Sequence, residues 1–100
     1  MKRQGDLLII KIKKIPQGAV KKDSLVLAEG EATGHLHELD LGEVYEKDGT
    51  LYFRAPEDKL TTLNHPEHKA VRFEPGAYKV IRQREYTPQS WQKDWRYVSD

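Results

Sequence analysis

Apolar and polar residues alternate along most of the chain in short runs broken by turn residues. A helical period of about 3.6 residues shows only in the C-terminal tail. The run DLLIIKIKKI predicts a long first strand, with Leu8, Ile10 and Ile12 on one face and Lys11 and Lys13 on the other. Lysines along such a strand guard it against edge-to-edge pairing. PQGA then turns the chain, and SLVLAE and TGHLHEL predict two further short strands. EVYEKDGTLYFRA reads as a hairpin, because Asp48-Gly49 is a type I′ signal between strand-like runs. DKLTTL adds a strand before a loop NHPEHK, and AVRFE meets a Pro75-Gly76 turn. AYKVIRQREY is a second long strand, in which Tyr78, Val80, Arg82, Arg84 and Tyr86 alternate with Ala77, Lys79, Ile81, Gln83 and Glu85. Thr87 can cap a helix that begins at Pro88 and places Trp91, Trp95 and Val98 on one face. The expected fold is all-β: a small barrel or sandwich of about seven to nine short strands over residues 1–86, with a short C-terminal helix over 87–98.

Composition narrows this further. With 100 residues and no visible repeat or linker, one domain over residues 1–100 is expected. The absence of cysteine excludes disulfides and thiolate metal sites and suits a reducing compartment. No apolar run approaches the ~18 residues of a membrane span, and the charged N-terminus lacks a secretory apolar region. A cytoplasmic protein that does not enter membranes is therefore expected. Net charge is only +1, but residues 1–22 carry +6, residues 23–68 carry −8 and residues 69–100 carry +3. All four histidines fall in the acidic middle, where the field favours a cation over a phosphate.

Those histidines form two tight pairs, His35 with His37 and His65 with His68. On a strand, residues i and i+2 share a face about 6.5–7 Å apart, so His35 and His37 can converge on one ion. His65 and His68 bracket Pro66-Glu67, a shaped turn that can bring both rings to one side. Imidazole is neutral and basic near physiological pH, and three or four such donors suit Zn²⁺, Ni²⁺, Cu²⁺ or Fe²⁺ rather than Mg²⁺ or Ca²⁺. The expected cofactor is one divalent transition metal, zinc first, held by His35, His37, His65 and His68. Glu29, Glu31, Glu43 and Glu67 are the nearest carboxylates in sequence, whereas Glu38 points to the face opposite His35 and His37. Glu67 could act as general base on a metal-bound water, or be a solvated loop acid.

Two other readings stay open. Paired histidines can serve as acid and base in metal-free phosphodiester cleavage, with Arg82 or Arg84 holding the phosphate. The IRQREY strand, alternating cations with aromatics, together with the tryptophan helix, could form a nucleic-acid or protein-interaction module, or a contact between copies of the chain. Against this, near-neutral overall charge favours Tyr78 and Val80 in the core, with the arginines emerging at the rim in salt bridges.

The segments KRQGDLLII, LAEGEATGHLH, HPEH and EPGAYKVIRQREYTP span most of the chain. Through them the sequence resembles a family of small, functionally unassigned β-proteins associated with bacterial genomes and phage-like neighbourhoods. That resemblance implies a recurring G-H-x-H and H-x-x-H arrangement on a β scaffold, without an activity, substrate or partner. In site type the chain is also similar to cupins, whose metal is held by an H-x-H, a later Glu and a distant His. His35 and His37 match the H-x-H, Glu43 follows after five residues, and His65 or His68 would supply the distant ligand. The flanking glycine and proline spacings depart from that pattern.

Overall fold

A computed structural model describes residues 1–29 and 35–82. Its ten strands are β1 (Lys2–Gln4), β2 (Leu7–Ile12), β3 (Val20–Lys22), β4 (Val26–Glu29), β5 (Leu36–Leu39), β6 (Glu43–Lys47), β7 (Thr50–Ala55), β8 (Thr61–His65), β9 (His68–Phe73) and β10 (Gly76–Arg82). They form two antiparallel sheets, one of six strands in the order β1-β2-β10-β7-β6-β3 and one of four in the order β4-β5-β8-β9. The sheets share one core, built from Leu7, Ile9, Val44, Phe53, Tyr78 and Val80 on the first and Leu27, Leu39, Leu63 and Phe73 on the second. The expected all-β architecture is thus present as two antiparallel sheets around one core, with ten strands among the described residues where the alternation predicts seven to nine. Among the described residues there is no helix, and so none long and apolar enough to cross a membrane. The helix expected over 87–98 lies outside the described residues.

The two extra strands are short. β1 and β3 each have three residues, too few for periodicity to show. They are also the two edges of the large sheet, which moves the lysine guard. β2 is an interior strand between β1 and β10. The edge charges are Lys2 and Arg3 at one side and Lys21 and Lys22 at the other, the latter two paired with Glu43 and Glu46. Nor does the apolar face of β2 follow the simple alternation. Leu7 and Ile9 are fully buried, whereas Leu8, Ile10 and Ile12 are only half-buried. An unbroken Leu-Leu-Ile-Ile run carries no alternation that could choose a face. Pairing with β10 on one side and β1 on the other makes the choice.

Three hairpin turns close neighbouring strands. Asp48 (φ 51°) and Gly49 (φ 81°) form the expected left-handed turn between β6 and β7. Gly5 (φ 59°) and Asp6 join β1 to β2, with Gly at the first central position as in a type II′ turn. Pro66 and Glu67 join β8 to β9, and neither has a positive φ. That turn does not match strand twist, and a β-bulge adjoins it: Leu63 faces Val71 while His65 faces His68, so the additional residue lies on β9.

Candidate functional site

The strand pairings of the small sheet bring the histidines together. In the β5–β8 ladder Glu38 faces Asn64 and Leu39 faces Leu63, and one further step along that register sets His37 opposite His65. His65 in turn faces His68 across the β8–β9 hairpin. Three imidazoles therefore stand in a row on three adjacent strands. Ring centroids are 4.4 Å apart for His37 and His65 and 4.6 Å for His65 and His68. These values are close to the interstrand spacing of about 4.7–4.9 Å. His35, two residues before His37 and on its face, brings a fourth ring to 5.8 Å from His65. All four expected residues share one site. The loop pair, however, is not in a loop: His65 and His68 are the closing pair of a hairpin. Pro66 suggests an irregular segment, yet a two-residue connection is enough for the strands to reach both histidines.

Burial grades along the row: His37 is 1% exposed, His35 and His65 are half-buried, and His68 is exposed. A buried imidazole needs partners for both nitrogens. The first is Gln4, itself buried at the end of β1. Its Nε2 donates to the Leu63 and Lys69 carbonyls, each at 2.9 Å, both of which flank the bulge. The amide is thereby oriented, and Gln4 Oε1 stands 2.9 Å from His37 Nδ1. An amide oxygen only accepts, so Nδ1 carries the proton and donates. In the neutral ring the Nε2 lone pair is then the outward donor atom. Nε2 faces Asp6 Oδ1 at 3.6 Å, and Asp6 Oδ2 accepts from Arg82 Nε at 3.3 Å. Arg82 Nη2 also donates to the Glu29 carbonyl.

The surroundings disfavour the charged form of His37 and His65. Burial, then the neighbouring His65, lowers the His37 pKa from 6.5 to about 4, against the opposing pull of Asp6. His65 is lowered too, by desolvation and then by His68 and His35. Its Nδ1 accepts the Glu67 backbone N–H at 3.0 Å, which puts the ring proton on Nε2. His35 Nδ1 lies 3.4 Å from Glu67 Oε1. As the side chains stand, no three His, Asp or Glu residues among those described converge their donor atoms on one point. The rings are gathered, but His65 in particular turns its lone pair to the hairpin backbone.

Gly5 makes room for the cluster. A Cβ there would stand 3.0 Å from His68 Nε2 and 3.2 Å from His37 Cε1. The β1–β2 turn thus lies over the imidazole row and supplies Gln4 on one side and Asp6 on the other. Neither is a candidate on sequence grounds. The only signal is Gly5, a turn residue that can split the first strand into a hairpin.

The other candidate carboxylates are distributed differently. Glu67 is beside His35, and Glu38 is exposed, as the alternation requires. Glu29 contributes its carbonyl to Arg82, and Glu31 lies outside the described residues. Glu43, the cupin-like position, is on β6 of the other sheet, where Lys21 meets Oε2 at 3.1 Å and the Tyr45 hydroxyl donates to Oε1 at 3.0 Å. Those two partners hold it below the usual carboxylate range. Tyr78 and Val80 are core residues, and Arg82 turns inward to pair with Asp6. Arg84, Tyr86, Trp91 and Trp95 lie outside the described residues.

No curated protein and no solved structure matches the chain. One family does, over residues 3–83, which takes in every strand from the end of β1 to the end of β10 together with all four histidines. The chain belongs to that family, a domain of unknown function (DUF8820).

Proposed function

We propose that the domain binds one divalent transition-metal ion, zinc the best fit, through the imidazole row, with His37 as the anchor and His65, His68 and His35 closing on the ion from the rim. The observation that carries this is the spacing of the rings. An ion about 2.0–2.1 Å from each of four tetrahedral imidazole nitrogens sets ring centroids about 5 Å apart. The cluster has centroids at 4.4, 4.6, 5.8 and 6.2 Å before any ring turns. Ring rotation and an approach of His68 towards His37 by about 1 Å are then needed, and the residues that must move are the half-buried and exposed ones. His65 would exchange its Glu67 N–H bond for the metal. His37 needs no such change, because Gln4 already fixes the tautomer that leaves Nε2 as the donor atom, the arrangement common in outer-sphere support of metal-bound histidine. Metal-free acid–base catalysis is less well supported, since it needs an imidazolium near neutral pH and both His37 and His65 are held below their ordinary pKa.

Elemental analysis of untagged protein, with thermal denaturation on adding Zn²⁺, Ni²⁺ or Cu²⁺, tests the reading. About one metal per chain and a raised melting temperature are expected, with both lost in His37→Ala and in the His65→Ala/His68→Ala double variant. Absence of metal in protein purified without chelator, combined with no thermal shift for any of the three ions, would overturn it.

A further inference from the structure

We propose that the Pro66-Glu67 turn is a latch on the imidazole row, which the metal-free chain holds closed and the bound ion releases. The latch presupposes the metal reading above and names how the fold regulates that same site.

The latch is built on the His65 ring. Its Nδ1 accepts the Glu67 backbone N–H at 3.0 Å, across the proline. This is the bond of an Asx-turn, with an imidazole nitrogen in place of the usual side-chain oxygen. Pro66 pre-sets it by fixing its own φ near about −65°. The turn draws support from that bond: neither turn residue has a positive φ, so the connection does not follow strand twist, and the β9 bulge adjoins it. The carboxylate of the same Glu67 lies 3.4 Å from His35 Nδ1. One turn residue thus engages a nitrogen on two of the four rings.

Metal ligation by His65 and the turn bond exclude each other. A neutral imidazole has one acceptor nitrogen and one donor. If Nδ1 takes the ion, the Glu67 N–H loses its acceptor. If Nε2 takes it, the ring proton moves to Nδ1, and two N–H donors then face each other across 3.0 Å. Either way the Glu67 N–H is released as the site closes. Linkage makes the effect reciprocal: the turn bond weakens the site by the same factor as the ion weakens the bond. His37 is outside this competition, because its Nδ1 is held by Gln4 in the tautomer that leaves Nε2 for the ion. The row therefore has one prepared ligand and one latched ligand.

The test is NMR of the full-length, untagged, chelator-stripped chain before and after saturation with Zn²⁺. In the stripped chain a scalar coupling across the N–H···N bond should join the Glu67 amide nitrogen to His65 Nδ1, and Zn²⁺ should abolish it. Solvent exchange of the Glu67 N–H should rise about two- to tenfold, the worth of one hydrogen bond. The Thr62 N–H, on the same strand and donating to Asp40 Oδ1 at 2.9 Å, should keep or gain protection. In His65→Asn the side-chain oxygen keeps the turn bond but supplies no imidazole, so Zn²⁺ should leave Glu67 exchange unchanged. A Zn²⁺-saturated wild type that keeps the Glu67–His65 coupling would overturn the latch while leaving a site built on the other histidines. Release of the Glu67 N–H by Zn²⁺ in His65→Asn as well would also overturn it. A wild type that takes up no Zn²⁺ would overturn the metal reading and the latch together. Should His65→Asn fail to fold, the wild-type coupling decides alone.

Discussion

Two ring clusters occupy the fold, and the β8–β9 hairpin carries part of each. At its open end Phe73 packs with Phe53 and Tyr78, with centroids 4.9–5.2 Å apart. At its turn end, about 16 Å away at the usual rise per residue, His65 and His68 pack with His37 and His35 at comparable spacings. The aromatic cluster asks little of its surroundings: Phe53 and Phe73 are fully buried, and the Tyr78 hydroxyl donates to the Glu74 carbonyl at 2.7 Å. The imidazole cluster needs Gln4, Asp6, Arg82 and the Glu67 backbone to satisfy it. Similar packing thus has opposite energetic meaning. Burying phenyl rings stabilises the fold, whereas burying an imidazole among others disfavours its charged form and offsets part of what its contacts contribute. A fold that needed only a core would have placed apolar side chains at the turn end as well.

That contrast can be tested from the largest effect to the smallest. Phe53→Ala should cost about 3–5 kcal/mol in urea unfolding by leaving a cavity among Phe73, Tyr78 and the core aliphatics. Its folded fraction should still take up Zn²⁺, and loss of uptake under conditions where the variant is folded would show that the clusters are not separable. Conversely, free Zn²⁺ at about a hundred times its dissociation constant should add about 2.7 kcal/mol to wild-type stability. The gain, read from denaturation curves with and without ion, should vanish in His37→Ala.

In chelated protein the imidazole end should also give the fold a pH dependence. The folded pKa of His37 lies below its unfolded value of 6.5, at about 4, chiefly through burial. Above pH 6.5 both states are neutral and the full contribution is present. As pH falls towards 4, only the unfolded chain gains the proton and stability is lost. From pH 7 to 5 the loss from this group should be about 2 kcal/mol. Urea midpoints of wild type and His37→Gln should diverge over that interval, and parallel curves would refute the assignment. Smallest is Thr61→Val at the aromatic end. Thr61 is fully buried and its Oγ1 has no hydrogen-bond partner among the described residues, so the change should leave the urea midpoint equal or raise stability by up to about 1 kcal/mol. A clear loss would mean that the hydroxyl is satisfied in solution.

Local patterning determined the β class, the Asp48-Gly49 hairpin and the turn before Gly76, because strand period and left-handed turn residues act over a few neighbours. It likewise set His35 and His37 on one face and turned Glu38 away, since the pleat alternates regardless of what the strand later meets. Tertiary structure alone decided that Leu7 and Ile9 rather than Leu8 and Ile10 enter the core, that His37, His65 and His68 line up across three strands, and that Gln4 and Asp6 reach them from the other sheet. Those outcomes depend on register between strands distant in sequence. Register is chosen by the packing of the whole core, and no single strand encodes it.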